Sequence, residues 1–304
     1  MNELDGLSRT ELNKLLAVLL LTDGSVLKKE YGYHTFRLLT SENSKPLHLI
    51  FRELCLKLYN KPPSFRRVIR TGNYKKQPFL FSELFYSRAW EEMKNLSPAF
   101  KTSPRYNQTT REYLQEPQPD ISFLLNSSKK IRGLALRLWF DFDGSLSPAV
   151  SLKRKVENKN GRTYEYYQVQ ISFSWQISET NPILVKQLIK LCNSLGLDAK
   201  LKKDKRKWSG FDGITLSSKN NILKFINLGG PLTNVSITKN SKNFYGITKK
   251  NMCLSVLNLI KHKYSLSAHF IKRDDAEKYR EDLKKRIINL ILKPHSVAAK
   301  LTDG

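Results

Sequence analysis

Two stretches of this chain, LAVLLLTDGS at residues 16–25 and LWFDFDGSLS at residues 138–147, run from an apolar series into Asp-Gly-Ser. Each series belongs in a core, and each ends where a buried helix has to stop. A helix stopping at Gly24 or Gly144 carries Asp23 or Asp143 in its last turn. The macrodipole makes that end partly negative, so a carboxylate there costs a few tenths to about 1 kcal/mol. Something positive has to offset that cost twice, because Gly24 and Gly144 lie 120 residues apart in matching contexts. The pattern predicts a duplicated fold.

The order of elements agrees. Ser8 and Glu11 fit a capping box, with Leu7 and Leu12 placed as a hydrophobic staple, and Gly24 reads as a left-handed C′ residue. Ser25 to Thr40 reads as a hairpin turning near Tyr31, Gly32 and Tyr33. Pro46 to Tyr59 is an amphipathic helix. Phe65 to Ile69 and Phe79 to Phe81 flank the basic turn Arg70 to Lys76, and Ser87 to Leu96 is a helix. Lys101 to Asp120 is polar, carries three prolines and has no period, which suits a linker. Ser127 or Ser128 then caps a helix over Lys129 to Asp143. A hairpin over Ser145 to Trp175 turns near Asn158 to Gly161. A helix over Pro182 to Leu195, a basic hairpin over Asp198 to Leu216 and a helix from Lys219 complete the second set. This divides the chain into halves at 1–100 and 128–246, a linker at 101–127, and an extension at 247–304. The extension has two further helices, Ile247 to Lys263 and Lys272 to Ile291.

Charge narrows the partner. The 304 residues hold 53 Lys and Arg against 27 Asp and Glu, a net charge of +26. Such an excess works against the compact state and points to an anionic partner, with nucleic acid ahead of a membrane surface. No apolar run reaches the roughly 18 residues of a membrane span. The cysteines Cys55, Cys192 and Cys253 have neither disulfide nor zinc spacing, so they are expected to be reduced core residues. That suits an intracellular protein, in prokaryotic cytoplasm or in an organelle matrix or stroma.

Tyr167 to Trp175 alternates more clearly than any other segment. Its polar face, Gln168, Gln170, Ser172 and Ser174, is neutral and rich in donors and acceptors, as base-edge readout requires. Cations flank it: Lys153, Arg154, Lys155 and Arg162 before, and Lys200, Lys202, Lys203, Lys205, Arg206 and Lys207 after. Lys28, Lys29, Arg37, Arg66, Arg67, Arg70, Lys75 and Lys76 occupy equivalent places in the first half. Neutral polar strands between basic hairpin tips suit phosphate positioning around base recognition.

Two carboxylates at neighbouring helix ends repel, and divalent cations relieve that repulsion. Mg²⁺ prefers oxygen ligands and is often held by one or two carboxylates plus substrate phosphates. In two-metal sites the ions activate water and stabilise the leaving oxygen. At these residues the chain resembles the LAGLIDADG homing endonucleases in their single-chain, two-motif form. Leu16 to Gly24 matches the first motif and Leu136 to Gly144 the second.

The resemblance implies an α+β fold: a pseudo-twofold duplication of αββαββα units, with two antiparallel sheets forming a DNA-binding saddle around two central helices. It implies a monomer that cuts both strands of a double-stranded DNA site across the minor groove and leaves short 3′ overhangs. It also implies an intron-encoded origin. Asp23 and Asp143, with Gly24 and Gly144, would hold Mg²⁺, roughly two or three ions per site. Lys101 and Lys239 are the candidates for assisting the attacking water. The third and seventh motif positions, usually small, are here Val18 and Thr22, then Leu138 and Phe142. The helices therefore either sit farther apart or compensate in packing. The alternatives are an RNA maturase acting on intron RNA, and a non-catalytic DNA-binding protein on the same scaffold.

Overall fold

The computed structural model describes residues 2–28, 34–71, 76–100, 106–107, 109–110, 112–113, 117–261 and 267–292. The chain is mixed α+β, and its strands pair antiparallel. The first set of elements is α1 (Arg9–Leu21), β1 (Gly24–Lys28), β2 (His34–Ser41), α2 (Lys45–Tyr59), β3 (Ser64–Thr71), β4 (Lys76–Phe85) and α3 (Ala89–Lys94). A short ladder of β5 (Tyr106–Asn107) and β6 (Glu112–Tyr113), then α4 (Ser122–Leu125), lies in the polar stretch that follows. The second set is α5 (Lys129–Asp143), β7 (Gly144–Lys159), β8 (Arg162–Ile177), α6 (Pro182–Ser194), β9 (Ala199–Lys203), β10 (Phe211–Leu216) and α7 (Lys219–Asn227). The order αββαββα therefore occurs twice. After it come α8 (Lys249–Lys261), β11 (Ser267–Phe270) and α9 (Arg273–Leu292).

The chain forms two compact units. One comprises Met1–Ser145 and Gln176–Val235, the other Leu146–Trp175 and Ser236–Gly304. In the first unit, α1 packs against both α2 and α5. The whole of Leu15–Leu21 is buried, as are Leu134–Phe140 of α5, so these helices form the centre of the core. The capping box forms at the start of α1: Ser8 Oγ accepts from the Glu11 N–H, and Glu11 Oε2 accepts from the Ser8 N–H. Ser128 caps α5 by accepting from the Ile131 N–H. Each such cap contributes about 1 kcal/mol.

The first sheet has the order β1-β2-β4-β3. Phe36, Leu38, Leu80 and Leu84 fill its buried face. His48 of α2 joins that layer, bridging Thr40 Oγ1 at 2.9 Å and Ser82 Oγ at 2.7 Å. The residues paired across the outer face include Arg37 with Glu83, and both Arg66 and Leu39 with Phe81. The turn expected near Tyr31 to Tyr33 lies outside the described residues.

In the second unit, β7 pairs with β8. Asn160 (φ 52°) and Gly161 (φ 73°) both adopt left-handed backbone, as a two-residue hairpin turn with the twist of its strands requires. Val169, Ile171, Phe173 and Trp175 are buried. The strand β11 was not anticipated. It pairs with β8 from Ser267 opposite Gln170 to Phe270 opposite Tyr167. The helix α9 packs on β11 and on α8. Among the described residues no helix is long and apolar enough to cross a membrane.

Candidate functional site

The two apolar series end in similar but not identical ways. In α1 the Thr22 N–H donates to the Val18 carbonyl, and Thr22 Oγ1 to the Leu19 carbonyl. The helix therefore closes before Asp23, which is exposed. In α5, Asp143 is the last helical residue and is half-buried. Each aspartate's carbonyl is taken up by the second strand of its own set or the residue just beyond it: Asp23 accepts from Leu39 N at 3.5 Å, and Asp143 from Ser178 N at 3.0 Å. These bonds fix the turn from helix to strand and hold both aspartates at the strand entrance.

Gly24 is needed for a different reason from the C′ role the sequence suggested, and Gly144 shares that reason. Neither Gly24 nor Gly144 has positive φ; Gly144 is extended at φ −86°. The chain instead folds straight back over the last helical turn. A Cβ on Gly24 would lie 2.6 Å from Leu20 Cα, and one on Gly144 would lie 2.2 Å from Phe140 Cδ2. Only hydrogen fits there, so Asp-Gly marks a close approach rather than a left-handed cap. At the bulky motif positions, Val18 and Leu138 are fully buried, and α1 and α5 are nonetheless packed together.

No group of three or more His, Cys, Asp or Glu side chains that would cage a metal occurs among the described residues. Asp23 and Asp143 each offer hard carboxylate oxygens beside a helix-end carbonyl. Oxygen donors of this kind suit Mg²⁺, which keeps several waters and completes its shell with phosphate oxygens.

The expected DNA-facing residues fall into distinct groups. Gln168, Gln170, Ser172 and Ser174 do alternate with the buried face of β8 and are half-buried or exposed. Lys153 and Lys155 are exposed on β7, but Arg154 between them projects from the other face. There its guanidinium makes two 2.6 Å bonds to Glu165. Arg162, Lys200, Lys203 and Lys205 are exposed. Lys202 is bound to Gln176 and to Asp212, which Lys207 also approaches. Arg206 folds onto Asp204 and holds that carboxyl at about 2, mainly through their side-chain hydrogen bond.

In the first sheet, Arg37 donates to the buried Glu83 and, like Arg66, lies over the Phe81 ring. Arg67 pairs with Glu42. Lys29, Lys75 and Lys101 lie outside the described residues, as do the side chains of Lys28, Arg70 and Lys76. Lys239 is exposed in a loop, over the Tyr245 ring.

Several buried charged residues were not among the expected site residues. Arg137, buried in α5, donates to Glu3 through both terminal nitrogens and to the Gly230 carbonyl at 2.8 Å. Asp141, one turn later, accepts from the Thr233 N–H at 2.6 Å. Glu179 follows β8 and is buried. It accepts from the Thr180 and Asn181 N–H groups, yet desolvation pushes its carboxyl up to about 7. Burial likewise pushes the His48 imidazole down to about 4. An isolated charge inside an apolar run was the available signal for Arg137 and Asp141.

No family model and no curated protein matches the chain. Among solved structures, it is similar to mesophilic variants of the homing endonuclease I-DmoI, with a TM-score of 0.43 and 12% identity over 73% of this chain and 90% of that one. It is also similar to the homing endonuclease I-WcaI bound to its DNA recognition sequence, with a TM-score of 0.39 and 15% identity over 73% of this chain and 81% of that one. A third similar structure is I-DmoI in complex with DNA and Mn, with a TM-score of 0.42 and 12% identity over 73% and 97% of the respective chains.

Proposed function

We propose that the chain is a site-specific DNA endonuclease of the LAGLIDADG kind, monomeric and intron-encoded, that hydrolyses both strands of its target with Mg²⁺. The observation that carries this reading is the pairing of α1 with α5. Two helices from matching places in a repeated αββαββα order pack together, and each delivers a carboxylate to the entrance of a strand. Asp23 and Asp143 are the residues that would hold the ions. Bound divalent cations would supply an activated water and charge relief at the leaving oxygen. The polar faces of the sheets would read bases while Lys and Arg at the hairpins bind phosphates. The net charge of +26 favours rapid, salt-sensitive association with DNA.

The test is a cleavage assay on a plasmid carrying the host gene without its intervening sequence, with Mg²⁺ and with chelator. A single metal-dependent double-strand cut is expected. Asp23→Asn and Asp143→Asn should each lower the cutting rate at least about a hundredfold, since even residues that merely orient metal ligands cost 10–100-fold. Both variants should still bind the target. Full cleavage by either would remove the carboxylates from the site. Tight binding without any cut by the unmodified protein would favour a maturase or a DNA-binding regulator.

A further inference from the structure

The extension beyond the second repeat supplies a strand, and that strand joins the row of residues with the strongest readout chemistry. In an antiparallel pair, directly opposed residues share a face. Ser267 lies opposite Gln170 and His269 opposite Gln168. Both Ser267 and His269 are exposed. On the other face, Ala268 stands opposite the buried Val169.

We propose that β11 enlarges the base-reading surface of the β7–β8 sheet, with Ser267 and His269 contacting base edges of the same DNA segment as Gln168 and Gln170. This rests on the DNA-binding reading given above and adds a specificity-determining element to it.

Three observations support it. The first is chemistry. Proteins blunt sheet edges with short strands and with lysine, proline or inward charges. β11 is short, but its sequence Ser267-Ala268-His269-Phe270 carries none of those residues. Its outward pair is a hydroxyl and an imidazole, both hydrogen-bonding groups, which continues the Gln and Ser row.

The second is orientation. The His269 ring meets the Tyr166 ring at 4.9 Å, and the Tyr166 hydroxyl donates to Glu157 Oε1 at 2.6 Å. Tyr166 lies on the same face as Gln168 by alternation. A chain of contacts thus holds the imidazole in place before any ligand arrives, which lowers the ordering cost of binding.

The third is support from beneath. Phe270 packs against Tyr279 of α9, the tilted rings 5.1 Å apart between centroids, and Ala276 is fully buried. An extension of two helices therefore braces four residues of strand.

The test uses the full chain and a panel of target duplexes, each changed at one base pair, with affinity measured for every member. His269→Ala and Ser267→Ala truncate exposed side chains, so thermal melting should shift little. His269→Ala should reduce discrimination on the order of tenfold at one or two base pairs. Those positions should coincide with or adjoin the ones affected by Gln168→Ala. If Gln168→Ala alters the profile while both β11 variants match the unmodified protein, β11 is an edge cover and the proposal fails. If the unmodified protein shows no base preference at all, the DNA-reading function itself is wrong and β11 falls with it.

Discussion

The two repeats share an order of elements but bury different chemistry at their centres. Helix α1 is sealed by Leu15 to Leu21, all apolar. At the positions corresponding to Ala17 and Leu21, helix α5 has Arg137 and Asp141, both buried. The reason lies in what each helix must hold. Arg137 ties the start of the chain at Glu3 to the carbonyls of Gly229 and Gly230, and Asp141 fixes Thr233 a few residues on. The second repeat has to launch the chain into the extension, and the first does not. Buried charge is costly unless it is fully partnered. It appears here where a segment without regular structure is anchored in the core.

The largest expected effect comes from making α5 resemble α1. Arg137→Ala removes the clamp on two segments and leaves the buried Gly230 carbonyl without its donor. With the cavity left by the side chain, it should destabilise the fold by about 3 kcal/mol, read by urea denaturation. Asp141→Leu leaves the Thr233 N–H buried and unsatisfied and should cost about 2 kcal/mol, whereas Asp141→Asn keeps an acceptor and should cost less. Unchanged stability in the Arg137 variant would mean the charges are incidental and the repeats differ only by drift.

A second contrast lies where each hairpin returns to a helix, at His48 in the first repeat and Glu179 in the second. His48 is held at about 4, below the ordinary histidine value, so it is neutral when folded and gains a proton on unfolding. Its contribution is present above about pH 6.5 and is lost as pH falls toward 4. Glu179 is held at about 7, above the ordinary carboxylate value, so it is protonated when folded and ionises on unfolding. Its contribution is present below about pH 4.5 and is lost as pH rises toward 7. At 1.36 kcal/mol per unit, each amounts to roughly 3 kcal/mol. Glu179→Gln should therefore flatten the fall in stability between about pH 4.5 and 7, and His48→Gln the fall toward pH 4. Parallel pH curves for Glu179→Gln and the unmodified chain would show that the carboxyl is already ionised when folded.

Local pattern made the repeated order legible, and long-range pairing hid the rest. The Tyr167–Trp175 strand announced itself because one buried face writes a period of two into the residues. The capping box at Ser8 and the Asn160-Gly161 turn were equally local. Gly24 was found but misread, since a glycine needed for positive φ and one needed for close approach look alike in sequence. The partner of Asp141 is 92 residues away and Glu3 is 134 residues from Arg137, so neither spacing could reveal them. The strand β11 was missed because four residues are too few to show alternation, and its partner β8 is far back in the chain.

The smallest effect separates cations that keep their charge available from those already paired within a sheet. Each phosphate contact adds about 0.9 to the slope of binding against salt. Lys203 is exposed, whereas Lys202 is bound to Asp212 at 2.7 Å. In the first repeat Arg66 rests over the Phe81 ring, which leaves its charge unneutralised, while Arg67 is paired with Glu42. Lys203→Ala and Arg66→Ala should each lower the salt slope by about 0.9. Lys202→Ala and Arg67→Ala should lower it less, and Lys202 least of all, because its partner Asp212 is the less exposed of the two carboxylates. A full loss of slope in the Lys202 variant would mean that its ion pair opens on DNA. The same cation would then serve the sheet when free and the phosphate when bound, and the distinction between paired and available charges would hold in the first repeat alone.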